Sequence, residues 1–346
     1  MKIRVLGGGW YGCYLTLALL EDGHNVELHE IADRLFSGAS GANPARLHQG
    51  AHYPRSKLTR AHCQENYDEF MYRFGSLTRC VPINIYAVAR DESLVDFGTY
   101  RQVLEGEIDL IPVFDPAEFG LRHVEGAILT GERHIVIDDA REYFQRALGD
   151  TVHFNRQAVF DDVDFDLTID CTFCSRDSIN VDRYEPCVTT ILSGPVERAV
   201  TIMDGPFPSL YPWDESRGLC SLTSARFTPI AKCRTHAEAV NVLKTTPAAD
   251  IDARAEAMLE QMARFYPRIL DTHHIVDCKL GIRAMPASGS AARLVDVVPV
   301  GNRAIRVRAG KIDAIFHAEA IVKEMIAKCR SETKGLWLEA QASARA

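Results

Sequence analysis

No stretch of this 346-residue chain approaches the roughly 20 consecutive apolar residues that a membrane-spanning helix requires. The opening residues, MKIRVLGGGW, read as a strand and a glycine turn. They lack the apolar run of a secretory signal, so a cytoplasmic protein is expected. No lysine- or arginine-rich run stands out either. With 47 acidic against 39 basic residues the formal net charge is −8, which argues against nucleic acid or an anionic membrane as partner and leaves a small molecule. The ten cysteines show no repeating spacing. One CxxC occurs, Cys171-Thr-Phe-Cys174, but a zinc site of that type needs a second pair, so reduced thiols and no metal are expected. Repeats and low-complexity tracts are absent, apart from the small-residue ending EAQASARA.

What is present is the composition of a soluble globular protein, 47% hydrophobic and 25% charged, at a length that points to two domains. KIRVL at 2–6 is a short strand. GGGWYG follows and places Gly7, Gly9 and Gly12 in the GxGxxG pattern. A helix opens at Trp10 and Tyr11, carries Leu15, Leu19 and Leu20 on one apolar side, and ends at Gly23. NVELHE is a second strand ending at Glu30, 23 residues after Gly7. Gly7 makes the tight turn, Gly9 lets backbone amides approach a pyrophosphate, and Gly12 lets helix and strand pack closely. The phosphate charge rests on the positive helix end, and Glu30 accepts from a ribose. This βαβ fingerprint predicts a dinucleotide site without choosing between NAD and FAD.

The irregular segment NPARLHQGAHYPRS, 43–56, holds two histidines, two arginines and two prolines where neither helix nor strand is favoured. The longer run SGASGANPARLHQGAHYPRS, 37–56, resembles the second FAD-contact segment of the D-amino-acid-oxidase-like flavoproteins, a superfamily with the glutathione-reductase-type fold. Its N-x-x-x-L-H-x-G-x-x-Y-P-x-S pattern is particularly similar to the 2-hydroxyglutarate-oxidase branch. Gly38, Ala39, Ser40, Asn43, Arg46, Leu47, His48 and Gly50 match position by position, whereas Ala45 stands where many relatives have glycine. The resemblance implies that FAD is the cofactor and that this segment walls it. It extends to Val159 beside the adenine, to Cys171 and Thr172 at a strand end (with Phe173 in place of the usual glycine), and to Gly281 and Arg283 in the GIR segment. It extends also to Gly310, Lys311, Ile312 and Asp313, the backbone donors at the start of a helix aimed at the flavin's pyrimidine end. In relatives an arginine at the position of Arg283 holds the substrate's acid group, and His48 is the candidate proton acceptor.

The expected fold is α/β: a Rossmann-like FAD domain from 1–75, 151–185 and 276–346, and an α+β substrate domain from 76–150 and 186–275 built on a mixed, largely antiparallel sheet. VERAVTIMDGPFPSLYPW and GLCSLTSARFTPIA read as antiparallel strands. In 250–270, Ile251, Ala255, Met258, Leu259, Met262 and Phe265 share one face of a helix. Tyr53, Tyr211, Trp213 and Arg226 are candidates for the pocket lining. The functional expectation is an FAD-dependent oxidase or dehydrogenase acting on a carbon that bears an amine or a hydroxyl, in a small anionic substrate. A non-redox flavoenzyme such as a sugar isomerase or mutase, or a non-catalytic nucleotide-binding protein, remains as an alternative.

Overall fold

In the computed structural model, which describes residues 1–157, 164–175, 181–286, 295–301 and 303–328, the strand Lys2–Leu6 lies inside a six-stranded sheet. The order across it is Asp296–Val300, Ala304–Arg308, Leu167–Asp170, Lys2–Leu6, Asn25–His29 and Val152–His153. All neighbours are parallel except the first pair. Parallel strands need crossovers, and the helix Trp10–Glu21 makes the first, ahead of Gly23 in the left-handed conformation at φ +78°. That helix is apolar almost all round because it is covered on both sides. One cover is the helix Ile137–Leu148, whose Ile137, Ala140, Phe144 and Leu148 recur at helical spacing. Trp10 sits in the middle of this core, edge-on to Phe36 at 5.3 Å and to Phe144 at 5.5 Å.

A second, eight-stranded sheet runs His274–Pro286, Val181–Ser193, Leu219–Ser224, Pro208–Asp214, Arg198–Met203, Ile83–Ala89, Val124–Thr130 and Leu110–Val113. It is antiparallel except where Arg198–Met203 meets Ile83–Ala89, so it is mixed and largely antiparallel. The helix Ala248–Phe265 buries Ile251, Ala255, Met258, Met262 and Phe265 on the sheet residues Val188, Leu192, Leu210 and Leu222, as its period predicts. A small sheet of Arg46–Leu47, Arg133–Ile135 and Thr78–Cys80 lies beside the larger two.

Two features differ from the boundaries read in sequence. The divisions at 185/186 and 275/276 fall inside the long paired strands Val181–Ser193 and His274–Pro286, both of which belong to the eight-stranded sheet. The helix Ile137–Leu148, assigned by position to the substrate domain, packs into the Trp10 core instead, because its apolar stripe of Ile137, Ala140, Phe144 and Leu148 is buried there with the first helix. Among the described residues nine cysteines are free thiols, and no helix is long and apolar enough to cross a membrane.

Candidate active site

The site begins at the glycine turn. Gly7 has φ +96°, and a Cβ there would lie 2.8 Å from the Cys171 carbonyl oxygen. At Gly12 a Cβ would come within 1.8 Å of the Gly7 oxygen, so helix and strand meet as closely as backbone allows. Glu30 is buried at the end of the second strand. Its carboxylate accepts from the Gly8 amide and, at 2.8 Å, from the Ala32 amide. Ser40 brings the second segment to the same place, its hydroxyl accepting the Trp10 amide at 3.0 Å. Tyr11 ties in the chain's far end: its hydroxyl donates to the Lys311 carbonyl at 2.6 Å and accepts from the Gly310 amide at 3.1 Å. The Trp10 indole, by contrast, belongs to the core; only its backbone faces the turn. On the third side Thr172 is fixed by Asp170, which accepts its amide at 3.0 Å and its hydroxyl at 2.6 Å, and Asp170 is itself paired with buried Arg306.

The segment 43–56 forms the next wall. The Asn43 side chain donates to the Ala39 carbonyl at 2.8 Å and accepts the Ala45 amide at 2.7 Å, closing a tight turn. Ala45 has φ +50° and Phe173 has φ +58°. Both residues therefore adopt a positive φ that favours glycine, at the two positions where the family resemblance leads one to expect it. Leu47 is buried and Arg46–Leu47 pairs with Arg133–His134, which carries Glu132 to His48. Ser56 then caps the helix Lys57–Phe74 by accepting the Thr59 amide.

Glu132 is the residue that sequence reasoning missed. Its side chain is fully buried, and it accepts four donors: His48 Nδ1 at 3.2 Å, the Gln49 amide at 2.8 Å, the Gly50 amide at 3.3 Å and the Tyr86 hydroxyl. Burial alone would raise this carboxyl, but the adjoining imidazole, the tyrosine and the Gln49 amide hold it down at about 2. Burial pushes His48 down to about 4, with Glu132 pulling it partly back and Lys311 and Arg46 adding to the depression. At neutral pH the pair is therefore a carboxylate and a neutral imidazole. The carboxylate can only accept, so the neutral imidazole donates its Nδ1–H to Glu132 and keeps its lone pair on Nε2.

Aromatic and cationic groups surround the pair. His52 stacks on His48 at 5.4 Å, Tyr53 stands edge-on at 5.6 Å, and the Lys311 ammonium lies 4.0 Å from the Tyr53 ring centroid and against the Cys63 thiol. Arg46, two residues before His48, lies 4.3 Å over the Tyr211 ring and donates to the Thr201 hydroxyl at 3.2 Å. Its Nε is buried without an acceptor. Gly281 passes the Ala39–Ala42 helix, where a Cβ would sit 3.1 Å from that of Ala42. Arg283 is clasped by the buried carboxylate of Glu185 through both Nε, at 3.1 Å, and Nη2. Gly310, Lys311, Ile312 and Asp313 open the helix 315–328 through the short turn Ile312–Ala314, and burial raises the Asp313 carboxyl, whose Oδ2 has no hydrogen-bond partner. The expected contact at Val159 lies outside the described residues. Of the pocket candidates, Tyr53 and Tyr211 are in this cluster, Trp213 contributes its carbonyl to His134, and Arg226 is exposed and paired with Glu92.

These residues fit a flavin dinucleotide. Backbone of Cys171 and the Ser40 hydroxyl lie against Gly7 and Gly9, the Glu30 acid stands at the end of the second strand, and three buried polar atoms of the 46–49 and 310–313 segments, Arg46 Nε, Gln49 Oε1 and Asp313 Oδ2, have no hydrogen-bond partner among the described residues.

No protein-family model matches the chain. It is 32% identical over 337 residues to the FAD-dependent monooxygenase FPY4 of Fusarium mangiferae, a match that covers 94% of this chain and 91% of that protein. The FAD-dependent monooxygenase kojA of Aspergillus flavus is 29% identical over 313 residues, covering 78% of this chain and 73% of its own. Among solved structures, glycine oxidase from Geobacillus kaustophilus has the same fold, with a TM-score of 0.69 at 16% identity and coverage of 94% and 95%. NikD, an amino acid oxidase essential for nikkomycin biosynthesis, aligns with a TM-score of 0.64 at 13% identity, over 90% of this chain and 91% of its own.

Proposed function

Because this chain belongs to the family of FAD-dependent oxidoreductases that includes the monooxygenase FPY4, and shares the fold of glycine oxidase, we propose that it oxidises a carbon bearing a hydroxyl group, with His48 as the proton acceptor. The observation that carries this reading is the buried His48–Glu132 pair. An amine can lose its proton in solution before binding; an alcohol cannot, and needs a base in place at the moment the C–H bond breaks. His48 supplies one that is already neutral, with its tautomer fixed by Glu132 and its ring held by His52 and Tyr53. FAD, held by the Gly7–Gly12 turn, Glu30 and the 310–313 amides, supplies the two-electron acceptor when bound.

A small anionic substrate is supported by charge. Arg283 was expected to hold the acid group, but its charge is met by Glu185. Arg46 and Lys311 flank His48 with no carboxylate at salt-bridge distance among the described residues. Arg46, with its planar fork and open Nε, is accordingly the better-supported holder of a substrate carboxylate. The names of the two fungal relatives favour a second reading, in which an oxygen atom from O2 enters the product. Two measurements separate these. Anaerobic bleaching of the bound flavin by 2-hydroxy acids, faster than by the matching amino acids, supports alcohol oxidation; bleaching by the amino acids alone overturns it. A labelled oxygen atom found in the product after turnover under isotopic O2 selects the second reading.

A further inference from the structure

Outside the catalytic cluster, three metal-type donors meet at the edge of the six-stranded sheet. Glu27 and His29 are two residues apart on the strand Asn25–His29 and so point to the same face. His153 lies directly opposite His29 on the neighbouring strand Val152–His153. The register alone therefore brings together side chains separated by more than a hundred positions in sequence, which is why no spacing motif announces them.

We propose that Glu27, His29 and His153 form a three-ligand site for a borderline divalent cation of the zinc, cobalt or nickel class. Glu27 Oε2 lies 3.1 Å from His29 Nε2 and 3.7 Å from His153 Nε2, and all three donor atoms fall within 4.8 Å of one another. A tetrahedral ion with bonds of about 2.0–2.1 Å holds its ligands about 3.3 Å apart, a spacing that lies between the two Glu27–histidine separations. Two imidazoles and one carboxylate form a set that suits zinc and its neighbours, whereas magnesium and calcium prefer oxygen throughout. The side chains are 15%, 30% and 38% exposed for His29, Glu27 and His153, so an ion can reach them while a fourth position stays open to water. Lys2 contacts the other carboxylate oxygen, Oε1, at 3.5 Å and leaves Oε2 for the ion.

The site bears on the cofactor. The strand continues directly from His29 into Glu30, whose amide donates to the His153 carbonyl at 2.9 Å. Among the described residues Val152–His153 is a two-residue edge strand, and a metal bridge across it would fix the base of the Glu30 carboxylate.

The test uses the tag-free, FAD-loaded full chain after chelator treatment, titrated with zinc against a chromophoric chelator, and copper EPR as a count of nitrogen ligands. We expect one saturable equivalent, two coordinated nitrogens and no competition from magnesium. His29→Gln and His153→Gln should each weaken zinc by more than the 10–100-fold that outer-sphere partners cost, because each removes a ligand itself. Retained flavin absorbance in these variants shows that they remain folded. If either variant loses its flavin, the copper spectrum of the wild-type chain decides instead. Zinc affinity unchanged in both folded variants, or a copper spectrum without two nitrogens, overturns the proposal.

Discussion

Replacing Glu132 by glutamine tests the catalytic pair and the fold together. The change is nearly isosteric, but it exchanges a carboxylate that accepts from four donors for an amide that has one acceptor and two donors of its own. If the amide oxygen keeps the Gln49 and Gly50 amides, its NH2 faces the Tyr86 hydroxyl and His48. Tyr86 can turn its proton away, but His48 must then present a lone pair at Nδ1 and carry its proton on Nε2. Two charge-assisted bonds are lost, each worth about 1.5–3 kcal/mol, and the Glu132 side chain is fully buried, so solvent does not soften the loss. With neutral bonds partly replacing them, the net destabilisation should be about 2–4 kcal/mol. For a chain of this length each kcal/mol shifts Tm by about 1.4 °C, so the expected drop is about 3–6 °C. The kinetic effect should be larger: with the base lone pair on the wrong nitrogen, anaerobic flavin reduction by a hydroxyl substrate should slow by about 10²–10⁴-fold. Differential scanning calorimetry and stopped-flow spectroscopy measure the two. Wild-type reduction by a hydroxyl substrate in a folded Glu132→Gln variant would refute the pairing as the source of the base.

Three further expectations follow from the same geometry. The folded His48 stays neutral down to about 4 while an unfolded histidine titrates near ~6.5, so only the unfolded chain takes up that proton in between. Stability should therefore fall as pH drops from ~6.5 towards 4, by about 3 kcal/mol at most, with a second loss below ~4.3 as Glu132, held at about 2, departs from an ordinary carboxyl. Urea titrations across pH check this, and a flat profile over that window contradicts it. Glu30→Ala should weaken FAD binding about tenfold or more, through loss of a charge-assisted ribose contact worth about 1.5–3 kcal/mol, as read by fluorescence titration of the apoprotein; unchanged affinity means that the strand end is not the ribose site. Ala45→Gly should be neutral or stabilising by up to about 1 kcal/mol, because relief of the left-handed conformation at φ +50° outweighs glycine's greater chain entropy, whereas Ala45→Val should destabilise. Denaturant midpoints decide the sign.

Local signals were legible in the sequence, and pairings between distant strands were not. GGGWYG, the helix after it and Glu30 are close in the chain, so the strand, helix and strand that carry them could be placed from fixed offsets, and the structure has all three. The apolar period of the helix Ala248–Phe265 likewise named its buried face. Glu132 was invisible because it stands 84 positions after His48 and reaches it only through pairing of Arg46–Leu47 with Arg133–Ile135. The Glu185 clasp on Arg283 was hidden for the same reason: the two are direct cross-strand partners 98 positions apart. Ala45 and Phe173 depart from the glycine pattern in sequence, yet both have positive φ, at +50° and +58°.

The most direct measurement is anaerobic stopped-flow reduction of the bound flavin by paired 2-hydroxy and 2-amino acids, in wild type and His48→Ala. The account predicts that a hydroxy acid bleaches the wild-type flavin and that His48→Ala slows this by about 10²-fold or more, with a much smaller effect on any amino acid that reacts. Equal rates in wild type and His48→Ala for a hydroxy acid, or bleaching by amino acids alone, would contradict it.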